Sequence, residues 1–398
     1  MSEPEENFNL SSHQRFGLVT WPLTNSNIYV DKFGVLNKVR ERVEASSHEM
    51  PTKLRIVFEG TYGSGKTHSL KQAIKIAEEL GVMQKKPYPI YAKLQTTGSK
   101  NFIDIYKLVI YEELGENEIM QWLHDMYSVL ENDLGLRGPK VTQEEKIEKI
   151  HKRLTEVSGF SVNEEMVMVI MQALKSDYKD DIRKECWKYL AGYPAKKDVL
   201  GVNEDASKNV EIAMKNFLTI IHIFNIGHPD QIIIFAFDEL EKIAQLSKAH
   251  METYAEGFRQ LLDVEPVGVM MTETPESGNK FLQVGPIKSR IGGGNYIELA
   301  TLSPADSPKW IKQFLKEFRP DNDDWKNNLK VAKDKCPDNE GGITEETFPF
   351  TEASISGIVQ RVGRLGLVPR HILGEMEGII AKAIAKEKDK KFFISKDV

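Results

Sequence analysis

Short apolar runs alternate with amphipathic stretches along this chain. Leu54-Arg55-Ile56-Val57-Phe58, Gln231 to Phe237 and Val267 to Thr272 are brief, β-branched or aromatic runs, the pattern of strands buried on both faces. Tyr296-Ile297-Glu298-Leu299 predicts a further strand. Leu70, Ala73, Ile74, Ala77 and Leu80 recur at helical spacing, and Gly81 supplies a stop. Helices are also predicted over Val35–Val43, Phe102–Leu114 and Leu240–Leu262. Strands separated by helices of this kind predict an α/β fold with a parallel sheet.

Two regions read as purely helical. Between Glu116 and Ser207 the periodicity predicts helices over Ile119–Leu134, Gln143–Glu156, Glu164–Leu174 and Asp181–Leu190. Met166, Met168, Ile170 and Met171 crowd one of them, a composition more common in gap-filling core than on binding surfaces. Near the end, Ser303-Pro304-Ala305-Asp306 predicts a helix start, followed by Trp310, Ile311, Phe314, Leu315 and Phe318. Ser354–Val362 predicts another helix. The expected organisation is an extension over 1–27, a core over 28–115 and 208–302, a helical insertion over 116–207, and a helical lid over 303–398.

The loop after the first strand changes this picture most. Gly60-Thr61-Tyr62-Gly63-Ser64-Gly65-Lys66-Thr67 fits G-x-x-x-x-G-K-[ST] at every fixed position. Glycines let a backbone wrap a polyphosphate and aim its N–H groups inward. The helix that follows, opening at Lys66, Thr67 and His68, presents its positive end to the same anion. Lys66 is expected to reach the β- and γ-phosphates, and the Thr67 hydroxyl to ligate Mg²⁺. ATP is the expected ligand, with Gly60 to His68 as its contacts.

A second chemical signal closes the run from Gln231. Asp238 and Glu239 follow it and form a Walker B-like segment, with both acids at the carboxyl end of a strand, where α/β sheets bind ligands. Asp238 is expected to hold Mg²⁺ through water, and Glu239 to orient and activate the attacking water.

Composition sets limits. The chain has 398 residues, net charge −6 and 28% charged residues, so it is not globally basic and any nucleic-acid contact must be local. Only Cys186 and Cys336 occur, which excludes a disulfide framework and a cysteine zinc cluster and predicts a reducing, cytoplasmic setting. The nine histidines form no His-x-x-x-His or His-Glu-x-x-His pattern. No apolar run reaches the ~20 residues of a membrane helix, and the acidic start is no signal peptide.

On these motifs the chain resembles the AAA+ superfamily, near its initiator-like branch. The resemblance covers Ile28–Lys100 and Val210–Lys386 and implies a P-loop NTPase with a three-layer αβα core and a C-terminal helical lid. It implies a sensor at Thr272 or Thr274, and an arginine finger at Arg290, in the loop beside Gly292-Gly293-Gly294, acting on a neighbouring subunit. It also implies base contacts from Tyr29 and Val30. Gly366-Leu367-Val368-Pro369-Arg370 resembles the second sensor, with Arg370 projecting from a helix start toward the γ-phosphate. A homo-oligomer follows if Arg290 acts in trans. Glu185-Cys186-Trp187-Lys188-Tyr189-Leu190-Ala191-Gly192, then Leu200-Gly201-Val202, and Asp238-Glu239-Leu240-Glu241-Lys242 form a series similar to ATP-binding proteins of BREX-type phage-defence systems. Initiator ATPases usually append a winged helix, and only about a dozen residues follow Lys386. The expectation is therefore a partner protein that carries the effector activity, with DNA as a further candidate partner.

Overall fold

The apolar runs are strands of one five-stranded sheet in the computed structural model. The structure describes residues 30–31, 34–47, 53–94, 101–137, 141–176, 180–203, 206–275, 281–319, 324–337, 340–386 and 394. β1 (Arg55–Glu59), β2 (Lys86–Lys93), β3 (Gln231–Asp238), β4 (Val267–Glu273) and β5 (Tyr296–Glu298) lie in the order β2-β3-β4-β1-β5. β2 pairs with β3, β3 with β4, and β4 with β1, all in parallel. β4 is buried at every residue and β3 at all but Gln231, as expected of strands covered on both faces. This is the P-loop αβα core that the motifs imply.

β2 was not expected from the pattern, and its sequence shows why. Pro87 and Pro89 interrupt Lys-Pro-Tyr-Pro-Ile-Tyr-Ala-Lys, and proline ordinarily argues against a strand. The sheet order puts β2 at an edge, where one side of the ladder needs no partner. The Lys86 N–H donates to the Asp230 carbonyl at 2.9 Å and the Leu94 N–H to that of Asp238 at 3.1 Å. Even-numbered residues thus bond inward to β3, and the odd-numbered prolines turn their nitrogens to the free side.

The chain divides into two compact units, residues 37–59 with 70–297, and residues 1–36 with 60–69 and 298–398. In the first, one face of the sheet, with Val57, Phe235 and Met271, shares an apolar cluster with many of the helices. α1 (Val35–Ala45), α2 (Lys66–Leu80) and α3 (Phe102–Lys107) precede the helical stretch. The expected helix over Phe102–Leu114 is α-helical only to Lys107; Leu108–Leu114 is wound as π-helix and Gly115 has φ +76°. α4 (Gly115–Asp133), α5 (Gln143–Ser158), α6 (Glu164–Lys175), α7 (Asp181–Leu190) and the short α8 (Lys197–Leu200) then follow. Their buried residues, Trp122, Met166 and Ile170 among them, belong to the same cluster as Val57 and Phe235 of the sheet. The methionines Met166 and Met171 are core, not surface.

α9 (Val210–Gly227) was also not anticipated. Its run from Phe217 to Phe224 is buried on every face, so it lacks the amphipathic period that marks a helix. The helix expected over Leu240–Leu262 is broken into α10 (Glu241–Ala244) and α11 (Lys248–Asp263), with Ser247 capping the second. α12 (Gly285–Ile291) carries Arg290, so this arginine stands on a helix and not in the expected loop. Pro286 in its first turn and Gly292 at its end are ordinary helix boundaries.

Gly257 on α11 marks the tightest packing in this unit. A Cβ there would fall 2.0 Å from Cδ2 of Phe102, whose ring is held between Phe217 and Phe258. Gly257→Ala is expected to lower stability by about 1–3 kcal/mol. A urea titration followed by circular dichroism checks this, and an unchanged midpoint would show that the ring has room to move.

The second unit has its own core. Trp310, Ile311, Phe314 and Phe318 of α13 (Ser307–Glu317) and its C-cap pack with Ile355 and Ile358 of one helix and with Ile372 and Met376 of another. α14 (Asp324–Lys335), absent from the expected pattern, comes between α13 and the first of these, α15 (Glu352–Val362); α16 (Pro369–Lys386) is the second. The helix expected from Ser303 starts four residues later, because the Ser303 hydroxyl and Asp306 close a turn on each other.

Candidate functional site

The loop after β1 is built by its glycines. Gly63 has φ +78° and Gly65 has φ +99°, conformations that L side chains rarely adopt. A Cβ on Gly60 would lie 2.4 Å from the Ser64 hydroxyl. The Lys66 ammonium donates to the carbonyls of Gly60 and Thr61 at 2.9 and 3.2 Å, so it stands inside the curl of the loop. Thr67 and His68 complete the first turn of α2. The buried hydroxyls of Thr61 and Ser64 make no protein hydrogen bond. Buried orphan polar atoms are costly, and their position in a glycine-shaped loop fits a phosphate-bearing ligand.

Arg370 belongs to the same unit and meets this loop directly. Its backbone N–H donates to the Gly63 carbonyl at 3.4 Å, and its guanidinium sits 4.5 Å from the centre of the Tyr62 ring. Tyr62 is 64% exposed, so the arginine is stacked on a solvent-facing ring rather than locked in the core. A Cβ at Gly63 would come 2.8 Å from that of Arg370, so this glycine permits the approach.

The acids at the end of β3 form a second tight arrangement within the sheet-bearing unit. Thr272, fully buried at the end of β4, donates to Oδ1 of Asp238 at 2.6 Å. The Glu239 N–H points at the Thr272 hydroxyl at 2.9 Å and at Oδ1 of Asp238 at 3.0 Å. These bonds hold Glu239 at φ +64°, a conformation costing a non-glycine residue about 1–3 kcal/mol. Thr274, the other sensor candidate, donates instead to Glu241 at 2.8 Å.

Three residues not singled out in the sequence complete this cluster. The Tyr91 hydroxyl donates to Oδ2 of Asp238 at 2.7 Å. Burial, and then the hydrogen bond to Asp238, push its phenol far above the ordinary value, so it remains a donor. Lys93 approaches one carboxylate oxygen of Glu239 at 3.1 Å, and Lys242 pairs with the other. Lys242 also donates to the Leu94 carbonyl at 2.6 Å. Lys242 was visible as the third residue after Glu239 on a helix start; Tyr91 and Lys93 needed knowledge of β2.

The remaining candidates lie elsewhere. Arg290 Nε donates to Asp263 at 2.7 Å and Nη1 to the Pro286 carbonyl at 3.0 Å. Val30 packs in the apolar cluster with Leu302 and Trp310. Tyr29 lies outside the described residues. Among the described residues no three His, Cys, Asp or Glu side chains group as a metal cage, and no helix is long and apolar enough to cross a membrane.

A phosphate loop after the first strand of a parallel sheet, with an acid pair closing another strand, defines a P-loop NTPase fold. No family model and no curated protein matches the chain. Among solved structures it is similar to the ORC1 protein of Aeropyrum pernix in complex with DNA, at 10% identity and a TM-score of 0.45. That match covers 96% of this chain and 66% of the other, just under two thirds. It is also similar to the ORC2 protein of Aeropyrum pernix in ADPNP-ADP complexes, at 11% identity and a TM-score of 0.34, covering 94% of this chain and 69% of the other.

Proposed function

We propose that the protein is an ATPase of the AAA+ kind that binds ATP and Mg²⁺ and couples hydrolysis to assembly or remodelling of a protein–nucleic-acid complex. The observation that carries this reading is the junction of Asp238, Glu239 and Thr272. Three mutual hydrogen bonds hold the backbone of Glu239 in a left-handed turn after a strand. Arrangements that store local strain are characteristic of working sites.

In this reading Lys66 and the loop N–H groups hold the phosphates, and Arg370 leaves Tyr62 to fork onto them. Thr67 and Asp238 would hold Mg²⁺, which would supply charge neutralisation at the phosphates. Glu239 takes the proton of the attacking water. Arg290 acts on a neighbouring copy once its pair with Asp263 opens; partly exposed, that pair costs little to break. The setting proposed with it is anti-phage defence, with a partner protein carrying the effector step.

A specific observation favours a second reading, an ATP-gated switch that assembles partners with little turnover. Lys93 and Lys242 engage the two oxygens of the Glu239 carboxylate, so both would have to let go before it met a water. Both readings require nucleotide binding. A fluorescent ATP analogue is expected to bind the purified chain in the presence of Mg²⁺, and Arg370→Ala to weaken it about tenfold, the loss of one charge-assisted contact. Absence of binding would overturn both. Phosphate release, measured with and without DNA, decides between them.

A further inference from the structure

A second basic site lies at the other end of β1. A cleft of about 310 Å³ opens beside Arg55, the first residue of that strand, whereas the phosphate loop follows its last. Arg42 of α1, Lys53 and Arg55 line it on one side. Gly292-Gly293-Gly294 and Asn295, just before β5, line the other. None of the lining residues is acidic.

The cations differ in what occupies them. Lys53 is engaged by Glu265 at 2.7 Å and by the Asp263 carbonyl at 2.9 Å. Arg55 is half-buried and its guanidinium is fixed by the carbonyls of Leu262 and Arg290, with the Asp263 and Glu265 carboxylates close enough to favour its charge without a direct ion pair. Arg42 is exposed and has no ion-pair partner among the described residues. Its Nη2 lies 3.3 Å from where a Cβ of Gly294 would stand, so the glycine backbone meets the guanidinium with no side chain between. Burial opposes the charge of Arg55, the nearby Asp263 and Glu265 carboxylates offset that only in part, and Arg290 adds repulsion.

From this geometry we infer that the cleft binds a phosphate group, separately from the phosphate loop. Arginine forks match phosphate oxygens, and a glycine backbone lets an anion approach closely. The phosphate enters either on a nucleic-acid backbone or as a free small phosphate; both offer the same oxygens to Arg42 and Arg55. The inference does not depend on ATP turnover.

The test uses the full chain with its loop filled by a non-hydrolysable ATP analogue and Mg²⁺. Pyrophosphate is titrated by calorimetry, and a labelled DNA duplex by anisotropy over a salt series. Arg42→Ala, an exposed change that leaves the fold intact by circular dichroism, is expected to weaken pyrophosphate binding about tenfold. Arg42→Lys restores part of it. If the phosphate arrives on nucleic acid, duplex binding weakens as well, and the slope of log K against log salt falls by about one. If it arrives free, only pyrophosphate responds. Absence of binding by either probe, or binding indifferent to both Arg42→Ala and Arg42→Glu, overturns the inference. Dependence on Arg42 identifies this site even if the analogue fails to bind the loop.

Discussion

Glu239→Gln is expected to keep ATP binding and to slow turnover by about 10²–10⁴-fold, the usual worth of a positioned general base. The substitution is isosteric, so the backbone hydrogen bonds of this residue to Asp238 and Thr272 survive. What is lost is the carboxylate that accepts a proton. Its contacts with Lys93 and Lys242 also weaken, at little cost to stability, because all three side chains are partly exposed. Phosphate release and analogue binding, measured on one preparation, separate the two effects. Equal turnover in variant and parent would remove Glu239 from the chemistry. A residual slow rate in both would favour the switch reading.

Thr272→Val is expected to impair both stability and turnover, although it changes only the hydroxyl. The side chain is fully buried, and valine fills the same volume. The hydroxyl serves two partners, donating to Asp238 and accepting from the Glu239 N–H. Losing a buried hydrogen bond to a charged group costs about 1.5–3 kcal/mol. The second loss frees the left-handed turn at Glu239 to relax and carries its carboxylate out of position. We expect turnover to fall about 100-fold, with ATP affinity nearly unchanged. Thr272→Ser keeps the hydroxyl and should recover most of the rate. If serine recovers no more than valine, the methyl group matters and the hydroxyl does not.

The parts legible in the sequence share one property: their chemistry is local. The phosphate loop needs glycines at fixed places, and Gly63 and Gly65 adopt the positive φ that explains them. The acids at the end of β3 follow a run so uniformly apolar that only a buried strand suits it. Other parts depend on neighbours distant in sequence. β2 hid behind two prolines that only an edge position tolerates. Tyr91 and Lys93 became site residues only through its pairing, in which Lys93 stands opposite Asp238. α9 lost its period because it is surrounded on all sides. The break at Ser247 is a capping event inside a stretch whose apolar spacing runs through it. Arg290 was found, but its partner Asp263 lies 27 positions away, and no spacing rule joins them.

The prolines of β2 bear on whether copies of this chain could join edge to edge. An edge strand with regular N–H donors is a template on which another strand can grow, and sheets then run on from molecule to molecule. Here Pro87 and Pro89 remove two consecutive outward donors, so that flank offers carbonyls without matching hydrogens. An incoming strand would find its own carbonyls unanswered at alternate steps. Association through this flank is therefore left to side chains, whose surfaces separate more readily than a shared ladder. If the proposed function holds and copies must assemble and come apart, an edge that resists strand addition suits them.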